Sequence, residues 1–155
     1  MSNIRVTYVD VYVLRGTGDA VETLLLRRGA AGRCPGAWES VHGGIEPGES
    51  PTNAALRELA EETGLVPERF YNLSRVEAFY RHHEDLMALI PVFVALVAAD
   101  APVRLSDEHD AFEWLPPVAA GARMTWPRER RALEDAVTLL AGGDAGPVED
   151  VLRIC

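Results

Sequence analysis

Apolar residues in this chain come in blocks short enough for strands, with one long amphipathic stretch in the middle and another near the end. Residues 5–14 and 21–28 are rich in β-branched and aliphatic side chains. Gly16-Thr17-Gly18-Asp19 between them suits a hairpin connection, so two strands are predicted there. Residues 29–37 read as a loop and 38–41 as a short strand. Ser50 suits an N-cap, Pro51 the first helical position, and Gly64 the left-handed residue just past the end, which brackets a helix over Pro51–Thr63. Beyond it, residues 71–82 and 86–98 form a second long hairpin turned at His83-Glu84-Asp85, and residues 111–115 a further strand. Pro116-Pro117 opens a short helix and Pro127 a longer one running to about Leu140. Strands flanked by three helices predict an α+β domain built as an α/β/α sandwich. Spacing alone leaves the strand order open.

The helix over Pro51–Thr63 carries the chemistry. At helical spacing Thr52, Leu56, Leu59, Ala60 and Thr63 fall on one side and are expected to face the core. The other side holds Glu58, Glu61 and Glu62, at i, i+3 and i+4, where like charges converge and repel. A cation offsets that repulsion. Hard carboxylate oxygens favour Mg²⁺, with Mn²⁺ as a substitute, and a phosphate-rich substrate would complete the coordination shell. Three glutamates on a helix are more often a solvated face. Here Gly43, Gly44 and Gly48 lead directly into the helix as a loop that lets backbone approach a ligand, and Arg57 stands beside the acids.

Read without a gap, Gly43-x5-Glu49-x7-Arg57-Glu58-Leu59-x-Glu61-Glu62-x-Gly64-Leu65 resembles the Nudix box, the signature of hydrolases that cleave nucleoside diphosphates linked to another group. The resemblance implies a Nudix fold with a mixed central sheet. It also implies roles: Glu58, Glu61 and Glu62 as catalytic and metal-binding acids, with Glu58 orienting or deprotonating water, and Glu49 paired to Arg57 as structural support. Glu108, from outside the box, and the backbone carbonyl of His42 are the further metal ligands it suggests. Gly43, Gly44, Arg28 and Trp38 are the candidate substrate contacts. A wider likeness to bacterial dihydroneopterin triphosphate pyrophosphatases, also called dATP pyrophosphohydrolases, runs from Leu26-Arg27-Arg28 and Trp38-Glu39-Ser40-Val41 to Phe93, Glu108-His109, Trp114-Leu115, Pro116-Pro117 and Trp126. That subfamily's Asn-Arg pair is replaced here by Pro127-Arg128-Glu129-Arg130-Arg131. The implied reaction is Mg-dependent hydrolysis of a nucleoside-triphosphate-like substrate to monophosphate and pyrophosphate. The alternatives are another nucleoside diphosphate derivative, such as an oxidised deoxynucleotide or a dinucleoside polyphosphate, and a regulatory module that binds nucleotides without cleaving them.

Composition narrows the partners. A chain of 155 residues suits one domain. Fifteen basic against 24 acidic residues give a net charge of −9, which argues against nonspecific binding to nucleic acid or anionic membranes. A phosphorylated small molecule must then be drawn in by local arginines and metal. Cys34 and Cys155 show no metal-ligand spacing and are expected as reduced thiols. The first residues lack the basic-then-apolar pattern of a signal peptide, and the apolar run 86–99 is too short to span a bilayer and contains Pro91, so a cytoplasmic protein is expected. A homodimer stays open.

Overall fold

The structure, a computed structural model, describes residues 2–155. Its strands are β1 (Asn3–Val6), β2 (Tyr8–Arg15), β3 (Glu22–Arg28), β4 (Trp38–Glu39), β5 (Val41–Gly44), β6 (Arg69–Arg81), β7 (Leu86–Leu96) and β8 (His109–Leu115). The helices are α1 (Pro51–Thr63), α2 (Pro117–Arg123), α3 (Pro127–Leu140) and α4 (Glu149–Leu152). The sheet is mixed: β1 and β2 run parallel to β7, while the β2–β3, β2–β5, β3–β4, β3–β8 and β6–β7 pairs are antiparallel. The strand expected over residues 5–14 arrives in two pieces. Val6 pairs with Leu89 and Asp10 with Val92, so the chain carries one extra residue around Thr7, a bulge along an otherwise continuous ladder.

Alternation along the strands separates two cores. Val9, Val11, Val13, Leu24, Leu26, Phe93 and Ala95 face α1, while Tyr12, Leu14, Leu25, Val92 and Val94 face the side covered by Ala132, Leu133, Ala136 and Leu140 of α3. Among the described residues no helix is long and apolar enough to cross a membrane.

Three differences from the sequence expectation shape the site. The predicted strand 38–41 is two strands, because β4 pairs with β3 and β5 pairs with β2. β2 and β3 touch only at Leu14–Thr23 and Arg15–Glu22, and the chain crosses the gap that opens between them at Ser40. Second, α1 is rotated from its expected orientation. Its buried residues are Ala54, Ala55, Leu59, Glu62 and Thr63, whereas Ala60 is exposed and Thr52 and Leu56 are only half-buried. Two adjacent alanines let the helix lie close to the sheet on that side, and this turns Glu62 inward. Third, α4 and the last residues were not foreseen. The Phe70 amide donates to the Cys155 carbonyl (2.8 Å) and the Ile154 amide to the Phe70 carbonyl (2.7 Å), which covers the outer edge of β6.

Candidate metal centre and substrate cleft

α1 is positioned by the signals that bracket it. The Ser50 hydroxyl accepts from the Asn53 amide (3.2 Å), Pro51 opens the helix, and Gly64 at φ 69° closes it. Arg57 ties the preceding loop to the helix. Its Nε and Nη2 donate to Glu49 Oε1 (2.9 Å) and Oε2 (3.0 Å), and Nη2 also reaches the Gly44 carbonyl (2.7 Å). Glu49 accepts in addition from the Glu46 amide (3.0 Å). The fork from Arg57 holds the Glu49 carboxyl below its ordinary range. Arg57 Nη1 donates further to Glu58 (2.8 Å) and Glu61 (3.2 Å). A lysine cannot reproduce this fork. Arg57→Lys is therefore expected to lower metal affinity or kcat about 10- to 100-fold, the usual cost of losing a group that orients ligands, with wild-type helix content by circular dichroism.

The three box acids differ in exposure. Glu58 lies along Gly43 so closely that a Cβ there would sit 1.9 Å from its Cδ. Burial raises its carboxyl above the ordinary value, and Arg57 offsets part of that rise. Glu61 is at the rim, with 58% of its side chain exposed. Glu62 is 2% exposed, and neither of its oxygens has a hydrogen-bond partner among the described residues. Burial, then the negative charges of Glu58, Glu39 and Glu108, push its carboxyl up to about 9. Its company is Glu108 and His109, each offering a ligand atom within 4.8 Å of the others. A desolvated carboxylate with bare oxygens beside a second carboxylate is a donor set that fits a hard divalent ion.

Beside this centre opens a cleft of about 350 Å³, lined by Gly43, Gly44 and Glu39 and sharing Glu108 with the acid cluster. Tyr8, Phe79 and Trp126 supply aromatic walls, and Arg28, Arg33, Arg81 and Arg128 supply positive charge. The sequence of the NUDIX domain family matches residues 5–136. The chain belongs to the Nudix family. It is 37% identical over 135 residues to an octanoyltransferase of Myxococcus xanthus, covering 83% of this chain and 36% of that protein. It is 32% identical over 88 residues to nucleoside triphosphatase NudI of Klebsiella pneumoniae, covering 52% of this chain and 62% of that one. The chain thus spans less than two thirds of the length of either curated relative. The solved structure of the E. coli dihydroneopterin triphosphate pyrophosphohydrolase superposes with a TM-score of 0.66 at 25% identity, covering 84% of this chain and 94% of that one.

In this Nudix domain the sequence-derived substrate contacts divide. Gly43, Gly44 and Arg28 line the cleft, and Arg28 already donates to Glu39 (2.9 Å) and to the Arg33 carbonyl (2.5 Å). Trp38 lies elsewhere: it packs on the α3-side core with the Arg27 and Arg123 guanidiniums 5.8 and 5.1 Å from its ring centre. Strand alternation is the reason, since Trp38 pairs with Arg27 while Glu39, its neighbour, takes the opposite face. Trp126 occupies the aromatic position at the cleft that Trp38 was expected to fill. The His42 ring also turns into the cleft. It stacks on Tyr8 and places Nδ1 2.6 Å from Asp10, so only its backbone is left to face the acids.

The residues that sequence reasoning missed are the buried polar ones beneath the Nudix cleft. Asp10 is fully buried between His42 and Arg128. Burial pushes its carboxyl up, but the two partners outweigh this and hold it below the ordinary range. Its one sequence signal is a lone acid inside the apolar run of β2. Glu129, also buried, accepts from the Ser40 amide (3.2 Å) and hydroxyl (2.7 Å), satisfying the backbone where the chain leaves one strand for the next. Burial, then Asp10, push its carboxyl up to about 8 from 4.5. The folded protein therefore holds a proton that the unfolded chain releases between those values. Stability should fall as pH rises through that window. Glu62, held up to about 9, adds a slope of the same sign, so Glu129→Gln is expected to remove about one proton's share of the dependence and leave the rest, and thermal melts of both proteins across that range test it. Parallel slopes would rule out Glu129 as a contributor.

Proposed function

We propose that this Nudix domain is a divalent-metal-dependent hydrolase of a nucleoside-triphosphate-like substrate, releasing monophosphate and pyrophosphate. The observation that carries the reading is Glu62: a buried carboxyl with two bare oxygens, set against Glu108, which in turn lines the arginine-bearing cleft. Glu58, Glu61, Glu62, Glu108 and the His42 carbonyl are the groups assigned to hold Mg²⁺ or Mn²⁺. When bound, the ion supplies charge neutralisation on the phosphoryl oxygens and lowers the pKa of water.

The chain's own groups do the rest. Glu58, held by Arg57 and pressed against Gly43, is fixed beside the loop where an attacking water would be oriented and relieved of its proton. Gly43 and Gly44 leave room for a phosphate chain to approach the backbone. Arg28, Arg81 and Arg128 are each paired with an acid (Glu39, Glu84 and Asp10), and Arg33 carries no acidic partner among the described residues, so on a protein of net charge −9 attraction for phosphate is local and rests first on Arg33 and the bound ion. Phe79 and Trp126 offer faces on which a purine or pterin ring stacks, while Tyr8 is already stacked with His42. The pyrophosphohydrolase likeness supports this choice of substrate class, and the cytoplasm, where such metabolites and reduced thiols coexist, is the assigned location.

The decisive experiment is a panel of dihydroneopterin triphosphate, dATP and 8-oxo-dGTP incubated with the protein and Mg²⁺ or Mn²⁺, with products resolved by chromatography. Monophosphate plus pyrophosphate from at least one substrate is expected. Release of orthophosphate alone, or binding without turnover, would overturn the assignment.

A further inference from the structure

His109 has no role in the reading above, and its surroundings suggest one. It is 4% exposed at the start of β8. Its Nε2 lies 3.2 Å from Glu39 Oε1, an oxygen that also accepts from Arg28 Nη1 at 2.9 Å. A carboxylate only accepts, so this contact puts a proton on Nε2, and in the neutral ring Nδ1 is then the nitrogen with the lone pair. That Nδ1 is buried and has no hydrogen-bond partner among the described residues. A histidine buried for packing alone has its ring nitrogens satisfied. The other orphaned atoms at this place are the two oxygens of Glu62, and both residues have a ligand atom within 4.8 Å of Glu108.

The backbone places the imidazole there deliberately. β8 pairs regularly with β3 from Leu115–Thr23 to Ala111–Arg27, and then the register shifts so that His109, not Asp110, stands opposite Arg28. Without the bulge, Asp110 would face the side of the sheet that carries Leu24, Leu26 and α1, and His109 would point the other way. The extra residue exchanges a carboxylate for an imidazole beside Glu62, while Asp110 goes outward to pair with Arg27 (2.7 Å).

We propose that His109 Nδ1 is a direct ligand of the divalent ion held by Glu62 and Glu108, with Glu39 fixing the ring through Nε2. This rests on the metal-dependent reading above. A carboxylate behind the distal ring nitrogen is the usual way a metal-binding histidine is oriented. The chemical consequence is selectivity. Mg²⁺ favours oxygen donors and keeps its waters, whereas an imidazole nitrogen suits first-row transition ions. The centre is thus built for Mn²⁺, Co²⁺ or Zn²⁺ more than an all-carboxylate set would be.

The test uses Mn²⁺ itself as the probe, in the full chain without substrate. Pulsed electron paramagnetic resonance of the Mn²⁺-loaded wild type, with natural-abundance and with ¹⁵N-histidine, is expected to show a directly coordinated nitrogen whose modulation changes on labelling. The signal should vanish in His109→Gln and persist in His42→Gln. By calorimetry His109→Gln should lower Mn²⁺ affinity at least about tenfold, since even groups behind a ligand are worth 10- to 100-fold, with a smaller loss for Mg²⁺. Mn²⁺ binding with no histidine nitrogen in the labelled wild type overturns the proposal and leaves the hydrolase reading standing, and so does a signal lost only in His42→Gln. Failure of the wild type to bind either ion overturns both. The wild-type spectra decide even where a variant does not fold.

Discussion

Glu62→Gln is expected to lower kcat/KM by roughly 10³ or more, because metal assistance supplies several kcal/mol at about 1.4 kcal/mol per power of ten. The same change should leave the metal-free fold intact. Gln matches the acid in size, and the wild-type carboxyl is already starved of partners in its buried position. The clearest readout is a pair of thermal melts. The wild type gains melting temperature on adding Mn²⁺ because only the folded state binds it, and the variant loses most of that gain. Glu58→Gln should also lose turnover, by about 10² to 10⁴ as for a positioned base, while keeping more of the metal-dependent gain. Wild-type rates in either purified variant would remove these residues from the mechanism.

Gly43→Ala should lower kcat about 10²-fold, the scale associated with shifting a reacting group by about 1 Å. The added Cβ would stand 1.9 Å from Glu58 Cδ, 2.2 Å from Oε1 and 2.4 Å from Cγ. No side chain tolerates that, so Glu58 must swing away from both Gly43 and the Arg57 contact. The obstructing atoms are the end of a flexible side chain, and the fold need not change to clear them. Melting temperature is therefore expected to stay within a few degrees. Gly64→Ala is the informative contrast. There the glycine caps α1 at φ 69°, and an alanine costs about 1 to 2 kcal/mol of backbone strain without touching the acids. Activity lost at Gly43 with stability kept, and the reverse at Gly64, separates room for Glu58 from capping of the helix. In Gly43→Ala, a second change of Glu58→Gln should add little, since both act on one side chain.

What could be read along the chain was whatever depends on near neighbours. Ser50, Pro51 and Gly64 bracketed α1 to the residue, because capping is a contest between a side chain and backbone groups three or four positions away. The Glu49–Arg57 fork was an expectation from the resemblance to the Nudix box, between a residue just before the N-cap and one in the second turn of α1. Strand positions followed from apolar and β-branched runs, with ends displaced by up to three residues and two of the runs divided into two strands each.

The sheet's connectivity and the composition of the acid centre were decided only by tertiary structure. A bulge at Thr7 and another near Asp110 each add a single residue, too small a change to leave a periodic trace, yet each inverts which side chains face α1. The rotation of α1 that buries Glu62 depends on how closely Ala54 and Ala55 let it approach the sheet, a matter of packing between distant segments. Glu39, Asp10 and Glu129 are charged residues in apolar surroundings, and their sequence neighbours do not show that Arg28, Arg128 and Ser40 will partner them. Local sequence determined that a glycine loop feeds a capped, acid-bearing helix. Long-range packing decided which of those acids would be stripped of water, and desolvation is what makes a carboxylate a metal ligand instead of part of a hydrated surface.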